Sequence, residues 1–177
     1  MNWHPPLDLA LVPSDDSLSF KTMQAHETCL PLPPHPGAFG VERQHHFHEG
    51  VDLYCASGTP VKAVEAGTVV AIIPFTGPKA GSDWWHDTDA VLVEGASGVV
   101  LYGEITPGGI KVGDAVERGA VLGHVVQVLK TDKGRPMSML HLEFHAAGTR
   151  DAYEWTAETG KPPSLRDPTP FLKAAKP

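Results

Sequence analysis

The feature that most constrains the fold is a succession of short apolar runs, each bounded by glycine or proline. The runs at 61–64, 68–73, 90–94 and 98–102 are rich in Val, Ile and Leu, and two of these residue types are β-branched and favour strands. No window of eleven residues shows helical periodicity. The pattern predicts an all-β domain, either a sandwich or a barrel, whose turns use the 18 glycines and 17 prolines of this 177-residue chain.

Particular elements follow from the same pattern. The runs at 90–94 and 98–102 predict a hairpin around the Gly-Ala-Ser turn between them. A strand is expected at 121–126 and another at 138–145. We also expect a short helix at 152–159.

The N-terminal part differs in composition from the rest of the chain. Its first 36 residues contain seven prolines, and the run at 31–36 cannot join a helix or the interior of a sheet. We therefore predict two parts: a Pro-rich extended N-terminal arm at 1–36, and one domain at 37–177. The arm is expected to carry an edge strand near 18–23.

Charge and hydropathy exclude several classes of protein. The net charge is −7, from 14 basic and 21 acidic residues, and an acidic chain binds the phosphate backbone poorly, so we expect no nucleic acid partner. No apolar run is long enough to span a membrane. No signal peptide is visible, so we expect a cytoplasmic protein as written, or a periplasmic or extracellular one if a leader was removed. Cys29 and Cys55 are expected to be free thiols.

The ten histidines are clustered and point to metal chemistry. His48 and Asp52 are separated by three residues, and an imidazole nitrogen with a carboxylate oxygen is a suitable ligand pair for zinc. Gly50 between them is expected to let the backbone bend so that both side chains converge. The doublet His45 and His46 is expected to be an exposed polar stretch.

A second histidine group lies on the predicted strand at 138–145. Side chains alternate along a strand, so Met139, His141, Glu143 and His145 are expected on one face. His141 and His145 are about 13 Å apart in an extended strand, too far to bind one ion together. One of them can join His48 and Asp52, and the other is then structural or at the surface.

Six blocks in the same order resemble the lysostaphin- or LytM-type zinc metallopeptidases, which cut peptidoglycan cross-bridges. HEGVDL at 48–53 is similar to the family signature His-x-Gly-Val-Asp-Ile, and HLE at 141–143 to the end of its His-Leu-His-Phe-Glu motif. The other blocks lie at 37–43, 58–69, 112–119 and 167–172. The resemblance covers about residues 37–174.

The resemblance implies the fold and the site. It implies an antiparallel β-sandwich or open barrel of the duplicated hybrid motif type, also called a barrel-sandwich hybrid. It implies three zinc ligands, His48, Asp52 and His141, which leave the fourth position of Zn²⁺ for water. The substrate it implies is peptidoglycan or a related peptide, hydrolysed by the metal-activated water.

Both histidines that the family uses for proton transfer and oxyanion stabilisation are replaced. Met139 occupies the position two residues before the third ligand, and methionine cannot transfer a proton. Glu104 occupies the other position and is the candidate catalytic base. The alternatives for Glu104 are an exposed strand-end residue or an added metal ligand, and those for Met139 are a core filler or a lid over the metal.

Three functions remain open from the sequence. The first is a zinc endopeptidase with Glu104 as base, and the second is a catalytically degenerate module that retains the metal and binds peptidoglycan, a peptide or a protein. The third is a carrier- or adaptor-like β domain, which the intact ligand set disfavours. His86 and the neighbouring Trp84 and Trp85 are expected either to line the cleft or to pack on the domain, whereas His124 and His145 are expected to be ordinary strand residues.

Overall fold

The regular secondary structure is almost entirely β-strand in this computed structural model, which describes residues 2–177. The elements are β1 (Ala10–Ser14), β2 (Glu27–Pro31), β3 (Val51–Tyr54), β4 (Pro60–Lys62), β5 (Gly67–Thr76), β6 (Thr88–Gly95), β7 (Val99–Pro107), β8 (Ala115–Val116), β9 (Val121–Val125), β10 (Met139–His145), β11 (Leu165–Arg166) and α1 (Thr169–Ala174). Two single 3₁₀ turns lie at Ser19–Lys21 and Pro78–Ala80. The predicted all-β class is confirmed.

A nine-stranded antiparallel sheet forms the body of the fold. Its main path runs β11-β10-β7-β6-β5-β8, with β3 added beside β10 and β9 linking β7 to β4. The predicted hairpin is confirmed as β6 and β7, which pair around residues 95–98. Strand β10 is central to the site because β3 pairs with one of its edges and β7 with the other, and all seven of its residues are buried.

Residues 3–7 pack against this sheet. Trp3 and Leu7 are buried in the main hydrophobic core, where the Trp3 ring lies 5.2 Å from Phe144 and 4.8 Å from Phe171. The backbone is held as well, because His4 N–H donates to the Val64 carbonyl at 2.7 Å. The arm thus contributes side chains to the same core as the sheet.

The edge strand expected at 18–23 is wrong. The strands of the arm are instead β1 and β2, which pair in parallel with each other. They form where apolar side chains reach the core: Leu11 packs against it and Leu30 is completely buried. Leu18 is half exposed, and the segment turns at Ser19–Lys21 instead of forming a strand.

The helix expected at 152–159 is also wrong. Thr156 and Thr159 each accept the other's backbone N–H on their side-chain oxygens, at 3.1 and 3.0 Å. Such bonds compete with helical hydrogen bonding and hold the segment in a turn. The single α-helix is α1, six residues long, and no helix within the described part of the chain has the length and apolarity needed to cross a membrane.

Candidate metal centre

The structure brings His48, Asp52 and His141 together in a buried triangle. His48 Nε2 lies 3.2 Å from His141 Nδ1 and 3.2 Å from Asp52 Oδ1, and His141 Nδ1 lies 2.9 Å from Asp52 Oδ1. Ligand atoms around a tetrahedral zinc are about 3.3 Å apart, given bonds of about 2.0–2.1 Å. The triangle is therefore close to the size that three zinc ligands require.

The sheet positions two of these side chains directly opposite each other. Asp52 on β3 and His141 on β10 are Cα partners, so their side chains lie on the same face. Gly50 was expected to let the backbone bend, but the contacts around it indicate another role. A Cβ atom there would lie 2.5 Å from the Leu142 carbonyl oxygen and 2.9 Å from His141 Nε2, so glycine provides space beneath the imidazole ring.

Hydrogen bonds on the far sides of the two imidazoles fix their orientation. His48 Nδ1 donates to the Ala38 carbonyl at 3.0 Å, which leaves the lone pair of Nε2 facing the triangle. His141 Nε2 donates to Glu143 Oε1 at 3.0 Å, which turns Nδ1 toward the triangle. Two imidazole lone pairs and a carboxylate oxygen then converge on one point, a donor set that fits a divalent metal ion.

The two carboxylate oxygens of Asp52 have different partners. Its Oδ1 faces the two histidines, and its Oδ2 accepts a hydrogen bond from Arg43 Nη2 at 2.7 Å. Arg43 is itself held by the Pro36 carbonyl. Burial opposes ionisation of Asp52, but its interactions with His48 and with the Arg43 guanidinium lower its pKa well below the usual value. The carboxylate therefore stays ionised and available as a ligand.

The protonation of the two imidazoles differs. Burial lowers the pKa of His48, so that this ring is neutral. Burial also acts to lower the pKa of His141, but hydrogen bonds to Asp52 and Glu143 raise it well above the usual value. A metal ion would therefore compete with a proton for His141 Nδ1, and its binding would release that proton.

Glu143 is clamped between two histidines of the same strand. Its Oε1 bonds His141 Nε2, and its Oε2 bonds His145 Nε2 at 2.7 Å. His145 is fully buried and its Nδ1 contacts Ser164 Oγ at 3.1 Å. Burial raises the pKa of Glu143, yet these hydrogen bonds bring it down to about 2. His145 therefore acts on the centre through Glu143, which excludes the surface alternative for this histidine.

Loss of the bond from His145 is expected to weaken metal binding. Replacing His145 by leucine leaves Glu143 Oε2 without a partner and frees the carboxylate to rotate, so the metal Kd should rise about 10–100-fold, as is typical for outer-shell partners. His145→Gln keeps an N–H donor and should retain more of the affinity. Competition with a zinc-binding dye would measure both variants, and equal affinities for wild type and His145→Leu would contradict the clamp.

A β-bulge directs Glu104 toward the same region. Between two pairs of the β6–β7 ladder, Val91↔Tyr102 and Asp89↔Ile105, β7 has one residue more than β6. Glu104 has φ 63°, the left-handed region that a non-glycine residue rarely adopts. Bulges re-aim side chains and are frequent beside active sites. The backbone strain at Glu104 therefore marks this residue as a functional candidate.

The environment of Glu104 is that of a partly buried carboxyl group near the triangle. Its Oε2 is enclosed and has no hydrogen-bond partner in residues 2–177. Burial and the charge of Asp52 raise its pKa to about 8, although His141 and Arg43 act in the opposite direction. Glu104 is not part of the cluster of ligand atoms formed by the other three residues. Glu104 is therefore not the exposed strand-end residue of the first alternative.

Residues around the triangle that sequence reasoning missed include Phe75 and Tyr54. The Phe75 ring lies 5.3 Å from the His141 ring. Glycine at position 103 makes room for it, because a Cβ atom there would lie only 2.5 Å from the Phe75 ring. Tyr54 follows Asp52 by two residues. Burial and the charge of Asp52 raise the pKa of Tyr54, while Arg43 lowers it, which places this side chain among the charges of the centre.

The remaining histidines of the sequence analysis are not brought to the centre. His45, His86 and His124 are exposed, and His46 Nε2 lies 3.8 Å from Glu49 Oε2. The loop that carries His86 projects Trp84, which is 65% exposed, and packs Trp85 near Leu129. Trp85 is thus partly buried against the domain, whereas Trp84 and His86 are exposed.

The fold is similar to that of solved bacterial peptidases. The catalytic domain of the antimicrobial peptidase lysostaphin from Staphylococcus simulans shares 22% identity, with 77% of this chain and 89% of that chain covered and a TM-score of 0.52. Full-length lysostaphin shares 24% identity, with 77% and 47% covered and a TM-score of 0.50. The structure of LytU shares 21% identity, with 77% and 80% covered and a TM-score of 0.50.

A search of curated proteins gives no match. A family profile, however, matches residues 46–152, which is more than half of the chain and includes His48, Asp52, Glu104 and His141. On this match, the chain belongs to peptidase family M23.

Proposed function

We propose that this chain is a zinc endopeptidase that hydrolyses peptide bonds of peptidoglycan or of a related peptide. The observation that carries the proposal is the convergence of three metal-ligand atoms in a buried triangle, with the enclosed carboxyl group of Glu104 beside it. Membership of a peptidase family supports hydrolysis. The fold shared with lysostaphin, an antimicrobial peptidase, supports a bacterial cell-wall substrate.

The ligand set fits zinc and leaves a position for chemistry. His48 Nε2, Asp52 Oδ1 and His141 Nδ1 would hold the ion, and a zinc site with three protein ligands keeps its fourth position open. Zinc, when bound, polarises a peptide carbonyl and lowers the pKa of a water molecule. Arg43 keeps Asp52 ionised and oriented, and Glu143 holds the ring of His141.

Glu104 supplies the proton transfer in this proposal. A carboxylate can accept the proton of the attacking water and return it to the leaving amine. Burial and the charge of Asp52 raise its pKa to about 8, and a divalent cation held by Asp52 and His141 would favour the ionised base. Phe75 packs against one side of the His141 ring, with 5.3 Å between the ring centroids.

A second function is favoured by one observation. Met139 stands where the family carries a catalytic histidine, it is 9% exposed, and it offers no proton. A catalytically degenerate module that retains the metal and binds or regulates through it is therefore the alternative proposal. A carrier- or adaptor-like function is not supported, because the family match spans the residues of the metal centre.

Replacement of Glu104 by glutamine tests the peptidase proposal. Glutamine keeps the shape but cannot act as a base, so kcat on glycine-rich peptides or purified peptidoglycan should fall by at least about 10²-fold while zinc content is unchanged. The exposed Glu158 provides the control Glu158→Gln, which should behave as wild type. Equal rates for wild type and Glu104→Gln would remove Glu104 as base, and a zinc-loaded wild type without turnover would favour the binding module.

A further inference from the structure

The strand register places Tyr54 next to the position of a missing catalytic histidine. On the β3–β10 ladder, Asp52 pairs with His141 and Tyr54 pairs with Met139. Residues two apart on a strand share a face, so both pairs lie on the same side of the sheet. The contact of 2.9 Å between the Asp52 and His141 side chains shows that this side is that of the metal centre.

The Tyr54 side chain is free to contact a substrate. It is partly exposed, and its hydroxyl has no hydrogen-bond partner in the part of the chain that the structure describes. Its backbone is anchored, because Thr28 Oγ1 donates to the Tyr54 carbonyl at 2.5 Å.

The proposed reaction needs a hydrogen-bond donor that the other candidates do not provide. The carbonyl oxygen of the scissile peptide gains negative charge in the transition state, and a donor aimed at it lowers the barrier. Met139 has no donor, and Glu104 is an anion when it acts as a base. Arg43 is committed to Asp52 and to the Pro36 carbonyl.

We propose that the Tyr54 hydroxyl donates a hydrogen bond to this developing oxyanion and so replaces the histidine that is absent at position 139. The inference rests on the proposed peptidase function. It assigns the two tasks of the absent histidines to different residues: Glu104 transfers the proton and Tyr54 stabilises the charge. A phenol is protonated at neutral pH and is a suitable donor for this second task.

The experiment compares Tyr54→Phe with two controls in the zinc-loaded protein. Tyr54→Phe removes only the hydroxyl, so kcat on a glycine-rich peptide should fall by about 10²-fold with little change in KM, as when one oxyanion donor is lost. Tyr153→Phe is the matched control, because Tyr153 is 49% exposed and lies in the loop after β10. Restoring the histidine in Tyr54→Phe/Met139→His should recover much of the lost rate.

Binding provides a readout that does not need turnover. A glycine-containing phosphinate peptide carries the tetrahedral oxyanion, and calorimetry should show that Tyr54→Phe binds it at least about tenfold more weakly than wild type, with an unchanged zinc Kd. Wild-type rates and phosphinate affinity in Tyr54→Phe would overturn the inference while leaving the peptidase function intact. A raised zinc Kd in Tyr54→Phe, or no rescue by histidine at 139, would mean a structural role and would also overturn it.

Failure of the proposed peptidase function would give a different result from failure of the Tyr54 inference. In that case the zinc-loaded wild type itself neither hydrolyses the peptide nor binds the phosphinate, and the oxyanion role of Tyr54 falls with it. The two failures are thus distinguished by whether the defect is seen in wild type or only in the variant.

Discussion

Replacement of His141 by alanine is expected to abolish stoichiometric zinc binding and, with it, hydrolysis. The variant retains two of the three ligand atoms and loses the acceptor that faces both His48 Nε2 and Asp52 Oδ1. The effect should exceed the roughly 10–100-fold loss typical of outer-shell changes. Metal analysis after gel filtration should give about one zinc per wild-type chain and none per variant chain.

The matched control for this prediction is a histidine outside the centre. His124 on β9 is exposed, so His124→Ala should bind zinc with wild-type stoichiometry. A metal-free wild type would contradict both proposed functions. Zinc retained by His141→Ala would instead show that the ion sits elsewhere, and the triangle would lose its assignment.

Thermal unfolding separates loss of the metal from loss of the fold. His141→Ala also removes one of the hydrogen-bond partners of buried Asp52 and one of those of buried Glu143, which is destabilising by itself. A ligand that binds only the folded state stabilises it by about 2.7 kcal/mol at a concentration 100 times its Kd. Addition of zinc should therefore raise the Tm of the metal-stripped wild type and leave the Tm of the variant unchanged, whatever its starting value.

The ligand set could be predicted because its signals are local. His48 and Asp52 lie within one short motif, and the alternation of a single strand puts His141 on a defined face. The sequence predicted one part of the clamp around Glu143, because the alternation of side chains along a strand places His145 on the same face. Its function depends on distances of 3.0 and 2.7 Å within the folded strand, which spacing alone does not give.

Glu104 shows why the rest of the site could not be predicted. Strict alternation would put Glu104 on the opposite face from Gly103, whose partner on β10 is His141. The extra residue at the bulge breaks that rule, and a bulge depends on how β6 and β7 pair. The position of Tyr54 beside Met139 likewise follows only from the β3–β10 register, which joins segments more than eighty residues apart.

In the fold too, contacts between neighbouring segments could be predicted and contacts between distant segments could not. The β6–β7 hairpin was predictable because its turn and both strands are contiguous, whereas the parallel pairing of β1 with β2 links segments with a turn between them and needs the core of the domain to stabilise it. The prolines of the arm indicated an extended chain. They did not indicate that Trp3 is 2% exposed, because burial of one aromatic residue is decided by its contacts in the fold.

Replacement of Trp3 by alanine is the test of how the arm contributes to stability. The Trp3 ring fills a space between Phe144 and Phe171, and its Nε1 donates to Ser97 Oγ at 3.2 Å. Truncation of a buried tryptophan typically costs about 3–5 kcal/mol, through lost transfer energy and the cavity that remains. For a chain of this size, that corresponds to a fall in Tm of about 6–20 °C.

The control is Trp84→Ala, since Trp84 is 65% exposed and its removal should change stability by no more than about 0.5 kcal/mol. Denaturant unfolding of both variants and wild type gives the comparison directly. If Trp3→Ala is as stable as Trp84→Ala, the first residues do not belong to the core. If it is destabilised as expected, the arm that precedes the family match holds Phe144 in place, and Phe144 adjoins the clamp residues Glu143 and His145 on β10.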